Sequence, residues 1–215
     1  MNYRQIKLVR RIYIFFCIFL GILTPLYCWY RCPDFNPITQ PLSHFGVIEP
    51  TWLLWNSTLV FLSIAVFLNA YTALRYYFKK RRYRYPLKIL LILSSFCLFL
   101  TGTIPMDYEL YHKIPAFLFF FSYNLFVFLF GLFRSLKYLR RGVFSMFIGL
   151  SMLLSLLLLP VFTKHFLLED LQISSYGVFE IVYFALILTW NIYFLFTRLK
   201  EEGVKSNKKG LLKFF

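Results

Sequence analysis

The sequence predicts an all-α integral membrane protein, a bundle of six transmembrane helices with the N-terminus and the C-terminus in the cytoplasm. Three observations lead there. Hydrophobic residues make up 60% of the 215 and charged residues only 15%, against roughly 45–50% and about 25% in soluble domains. Aromatic residues reach 22%, with 28 Phe, more than a water-facing domain of this size can bury, and mean hydropathy is +0.65. Lastly, the apolar residues are gathered into six stretches with the basic residues between alternate pairs of them.

A helix needs about 20 mainly apolar residues to cross the hydrocarbon core. Such stretches fall roughly at 12–30, 52–74, 88–105, 114–133, 143–162 and 177–197. Pro105, Pro115 and Pro160 lie near span ends, where a missing donor costs little, and Pro25 lies inside the first span, where it predicts a kink. Runs such as FLFFFSYNLFVFLFGLF and SMLLSLLLLP are continuous, whereas the strands of a membrane barrel alternate over about ten residues. Arg4, Lys7, Arg10 and Arg11 before the first stretch imitate a secretory signal, but the apolar run is long and no small-residue cleavage site follows. It is read as a retained helix, and residues 1–215 as a single transmembrane domain whose last part, 198–215, is a basic cytoplasmic tail.

Charge sets the orientation. Of the 24 Lys and Arg, 21 fall in the N-terminus, the connections after spans two and four, and the tail, while Arg31, Lys113 and Lys164 occupy the other three connections. The positive-inside rule therefore places both ends in the cytoplasm. The same pattern explains the net charge of +15. Lys79, Lys80, Arg81, Arg82 and Arg84 would mark a nucleic-acid patch in a soluble chain; here they set topology and meet lipid headgroups, so no nucleic acid is expected. The tail pairs Lys208, Lys209 and Lys213 with Leu211, Leu212, Phe214 and Phe215, a composition suited to an anionic lipid surface.

The rarer residues collect on the outer side. His44, His112 and His165 all fall there, as do Asp34, Glu49, Asp107, Glu109, Glu169 and Asp170. Glu180 lies about one turn into the outer end of span six, and only Glu201 and Glu202 are cytoplasmic. Three readings compete. Acids populate outer connections simply because basic residues are excluded there. Alternatively, histidines and carboxylates form a zinc-like site, three ligands and a water, with His44, His112, His165 and Asp107 as ligands. The last reading is a pocket for a polar headgroup, which also gives Glu180 a role, since a carboxylate in a span normally faces a cavity or a partner. Against this, one turn from the interface it can snorkel to water.

Polar residues inside the spans are few: Asn56, Ser57, Thr58 and Asn69 in the second, Ser122 and Asn124 in the fourth, Asn191 in the sixth. Interhelical hydrogen bonding is their ordinary role, and no ladder of buried charges supports a proton-coupled transporter or ion channel. Cys17 and Cys97 read as small hydrophobes. Cys28 and Cys32, four apart on one helix, have poor geometry for a disulfide and are read as free thiols.

At the start of span two, Pro41-Leu42-Ser43-His44-Phe45-Gly46, followed by Pro50-Thr51-Trp52 and Asn56, resembles the outer-loop motif of six-span bacterial membrane proteins of unknown function related to the Frag1/DRAM/Sfk1 group. Gly102-Thr103-Ile104-Pro105 with His112 resembles that group's closing segment of span three, and Glu180 matches its acid near the start of span six. The chain departs from the pattern at His44, where an acid is common. The resemblance implies handling of membrane lipids and supplies no catalytic residue.

The expected function is therefore a polytopic protein that binds or organises lipid at the outer leaflet, with no catalysis assumed and no cofactor. Ser43, His44, Gly46, Trp52, His112 and Glu180 are the expected pocket residues. One alternative is a metal-dependent hydrolase acting on a lipid-like substrate at the outer face, with zinc held by the histidines and Glu180 or Asp107 as general base. Another is a subunit of a larger membrane complex or a homo-oligomer. The expected location is a bacterial cytoplasmic (inner) membrane.

Overall fold

The computed structural model describes residues 3–38, 40–136, 139–165 and 176–211. Six long helices make up the described residues: α1 (Tyr3–Arg31), α2 (Trp52–Tyr77), α3 (Arg81–Thr103), α4 (Glu109–Ser135), α5 (Leu139–His165) and α6 (Tyr176–Leu211), with a short 3-10 helix, Leu42–Gly46, between α1 and α2. No strand occurs among them. Helices are what lipid demands, because each satisfies its own backbone donors and acceptors.

Five of the six are long and apolar enough to cross a membrane: Leu8–Arg31, Trp52–Thr72, Arg81–Thr103, Leu110–Ser135 and Gly177–Thr197. In α5 the described apolar stretch, Gly142–Leu157, is shorter. At about 1.5 Å per residue it measures about 24 Å, short of a hydrocarbon core of about 30 Å.

The helices overrun the expected spans. Only Phe78, Lys79 and Lys80 separate α2 from α3, and Arg81, Arg82 and Arg84 form the first turn of α3 rather than a loop. Pro115 lies inside α4 instead of at its edge, and Pro25 lies inside α1. The expected tail is helical as far as Leu211. Basic residues mark where hydrocarbon ends, not where helix ends. Arg and Lys are good helix formers, and their long stems carry the charge to the headgroups while the backbone stays helical.

Consecutive helices pack pairwise from α1 to α5, and α6 closes the bundle against α5 and α1. Two kinds of interface result. Where α4 meets α5 the backbones nearly touch: a methyl group added to Gly131 would run into the backbone of Met146, and one added to Gly149 into that of Phe128. Small residues permit such close approach, the main source of packing energy when lipid replaces water. Between α4 and α6, large rings fill the gap. Trp190 lies edge-on to Tyr123, Phe126 and Phe130 at 5.9–6.0 Å and stacks on Phe194 at 5.1 Å. All five rings are buried, so part of the Phe content serves the interior, while Phe15, Phe16, Phe19, Phe96 and Phe117 lie on the outer surface.

Candidate functional site

The connection from α1 to α2 is an ordered cap over one end of the bundle. Phe35 lies 4.2 Å from Phe45, and Phe45 lies 5.6 Å from Trp55 on α2. The Thr51 hydroxyl donates to the Phe45 and Ile48 carbonyls, each at 3.0 Å. Asn56 Nδ2 donates to the Gly46 carbonyl at 3.0 Å. These bonds hold the 3-10 helix down on the start of α2, and α6 grips it from the other side. There the Ser43 backbone N–H donates to Glu180 Oε2 at 3.1 Å and its hydroxyl to Oε1 at 3.4 Å.

Beneath this cap lies a cavity with about 90 Å³ of water-sized space. Its mouth is polar, formed by Ser43, His112 and Glu180. The walls are apolar, from α1, α2, α3, α4 and α6, with Leu59, Leu98, Phe120 and Ile187 among them. Asn69 and Asn191 form a polar floor. Glu180 and Asn191 stand on one helix, about 16 Å apart at about 1.5 Å per residue, so the cavity reaches from the capped end deep into the bundle.

The floor is a hydrogen-bonded chain across three helices. Asn69 Nδ2 donates to Asn191 Oδ1 at 3.4 Å, and Asn191 Nδ2 donates to the Tyr123 hydroxyl at 2.7 Å and to the Ile187 carbonyl at 2.9 Å. Asn69 Oδ1 has no protein partner although it is buried. At the mouth, His112 Nδ1 lies 2.7 Å from the Ile104 carbonyl. A carbonyl only accepts, so Nδ1 carries the hydrogen, and in the neutral ring Nε2 is an acceptor. Glu180 as a carboxylate is likewise acceptor-only and has lone pairs beyond the two that Ser43 uses.

Of the six expected pocket residues, the structure brings three to the cavity and sets three elsewhere. Ser43, His112 and Glu180 line it. His44 is half-buried on the 3-10 helix, and Trp52, 45% exposed, opens α2, a position typical of an interfacial aromatic. Gly46 is a packing residue, since a Cβ there would lie 2.6 Å from Asn56 Oδ1. Asp107 is exposed in the turn between α3 and α4. Among the described residues, no group of three or more His, Cys, Asp or Glu lies together as a metal site requires. His165 ends α5, and its side chain, with Glu169 and Asp170, lies outside the described residues. The four cysteines are buried and free.

Missed in the sequence were Trp55 and Thr101 on the wall and the role of Asn69 and Asn191 as a floor. The two asparagines carried a signal, as amides in the middle of apolar spans; the wall residues carried none.

Five helices long and apolar enough to cross a membrane, packed around a cavity that is polar at its capped end, mark a multi-pass helical membrane protein. The chain belongs to a family described as "Protein of unknown function (DUF998)", whose model matches residues 15–197. No curated protein matches the chain, and no solved structure does.

Proposed function

We propose that this protein binds a membrane lipid at the outer leaflet, with the headgroup at Ser43, His112 and Glu180 and only the first few carbons of an acyl chain entering the cavity, and that it does so without catalysis. The observation that carries the reading is the cavity's polarity profile. Apolar walls suit a chain from the surrounding bilayer, and the polar groups stand where a headgroup would lie. Because His112 Nε2 and Glu180 both accept, the preferred headgroup donates hydrogen bonds, as an ammonium or a sugar hydroxyl does.

The orientation follows from charge: six crossings, both ends in the cytoplasm, and the cavity mouth outward. A bacterial cytoplasmic membrane is the proposed location. The resemblance to the Frag1/DRAM/Sfk1 group, whose eukaryotic members are implicated in lipid handling, supports the same reading by analogy.

Native mass spectrometry of the protein from nanodiscs of mixed phosphatidylethanolamine and phosphatidylcholine tests it. These lipids differ in whether the head nitrogen carries hydrogens. We expect one lipid retained, enriched in phosphatidylethanolamine, with the preference reduced in Glu180→Gln and retention lost in Ala116→Phe, which fills the cavity. Equal retention of both lipids by all three proteins sinks the proposal.

A further inference from the structure

At the basic end of the bundle, α2 and α3 border a half-open recess of about 310 Å³. Arg81, Arg84, Tyr85 and Lys88 line it from α3, and Tyr71 and Leu74 from α2. The three cations are spaced i, i+3 and i+7, so they share one face of α3. Arg84 is half-buried between the exposed Arg81 and Lys88. Across the α2–α3 interface, Lys88 Nζ stands 5.9 Å from the centroid of the Tyr71 ring, which stacks on Phe67 at 5.5 Å. No acid lines the recess, and neither guanidinium has a protein acceptor among the described residues.

Orientation alone does not ask for this arrangement. The positive-inside rule counts the basic residues in a connection; it is indifferent to where they stand around a helix. Arg82, outside the recess, lies instead over the ring of its neighbour Tyr83 at 4.7 Å. Like charges one turn apart on a helix repel, and Arg84 has one on each side. An anion seated in the recess turns that repulsion into attraction.

The recess also runs along the bundle rather than across its end. Lys88 stands about 10 Å further along α3 than Arg81, at about 1.5 Å per residue. The same side of the helix continues as Tyr85, Ile89, Ile92 and Phe96, all exposed and spaced i, i+4, i+7 and i+11. A headgroup in the recess leaves its acyl chains against this apolar stripe, which a soluble phosphate compound cannot use.

We infer that this recess binds the phosphate of an anionic membrane lipid, with Arg84 as the forked donor, Arg81 and Lys88 as flanking charges, and the chains along the α3 stripe. Basic pockets between transmembrane helices have the chemistry that such headgroups require. The site is independent of the one proposed at Glu180, which lies against the cap at the other end of α2.

The test is native mass spectrometry of the full-length protein from nanodiscs of phosphatidylglycerol and phosphatidylcholine. Two double variants are compared with the wild type. Arg81→Gln/Arg84→Gln strips the recess, and Lys79→Gln/Arg82→Gln removes two charges beside it, so any effect of charge on insertion is matched. The wild type is expected to retain phosphatidylglycerol in preference to phosphatidylcholine. Loss of Arg81 and Arg84 should weaken that binding by on the order of thirtyfold, and the control by a few-fold at most. Thermal shifts in detergent with glycerol phosphate or with phosphatidylglycerol separate the sources. Stabilisation by the lipid alone supports a headgroup site, whereas equal stabilisation by glycerol phosphate would overturn the lipid assignment. Equal losses in the two double variants would overturn the inference, as would equal retention of both lipids by the wild type.

Discussion

Asn191 is where single side chains matter most. Buried on α6, it joins α2 and α4 through Asn69 and Tyr123 while also bonding its own helix. Interhelical hydrogen bonds in membrane proteins average about 0.6 kcal/mol, with a ceiling near 1.7. Replacing Asn191 with Leu removes two such bonds and leaves the Asn69 amide short of an acceptor. We expect a loss of about 1–2 kcal/mol in reversible unfolding by sodium dodecyl sulfate. Gly102 offers a contrast. A Cβ there would lie 2.9 Å from the Asn56 carbonyl oxygen and 2.9 Å from Leu59 Cβ, so Gly102→Val forces α2 and α3 apart. Overpacking of this kind costs about 1–3 kcal/mol, measurable in the same unfolding experiment. Both residues were visible in the sequence, one as an amide in a span and one inside a resemblance motif. What they touch was not, because Asn56 and Gly102 meet only when α2 and α3 pack.

Among the elements, the 3-10 helix and α6 form a latch. Ser43 reaches Glu180 through both its backbone and its hydroxyl, so the two residues should be coupled energetically. In a double-mutant cycle of Ser43→Ala and Glu180→Ala, we expect a coupling of about 0.5–1.5 kcal/mol. A value indistinguishable from zero would mean that the hydroxyl adds nothing to the backbone N–H bond, which Ser43→Ala leaves in place. The partnership was half legible. Glu180 drew notice as an acid inside an apolar span, and Ser43 as part of a loop motif, but 137 residues separate them and nothing in either neighbourhood names the other. The helices themselves were legible as apolar runs, and their ends were not. Apolarity reports contact with hydrocarbon, whereas helicity continues through Arg81–Arg84 and past Thr197 into the headgroup region.

For the whole molecule, the asymmetry of charge makes an orientation that labelling can check. Cysteine placed at Asp107 should react with a membrane-impermeant maleimide in intact cells, and cysteine at Arg82 only after permeabilisation. The native cysteines are all buried, so background labelling should be low. The reverse pattern would turn the cavity mouth inward and defeat the outer-leaflet reading. That expectation rests only on counting charges between apolar runs, a pattern the sequence displays directly. The cavity was the least legible. Its walls come from five helices, and no local pattern records an empty space between them.

The latch also fixes an order of events in biosynthesis. Ser43 emerges 137 residues before Glu180, so the cap can be fastened only after α6 has been made and packed in place. Until then the space beneath it is open on the side that α6 will fill, and nascent chains would expose Tyr123, Phe126 and Phe130 to whatever lies beside them. The helix α6 is thus also the one that closes the cavity. Insertion of α6, rather than arrival of the first spans, would decide when the cavity is enclosed.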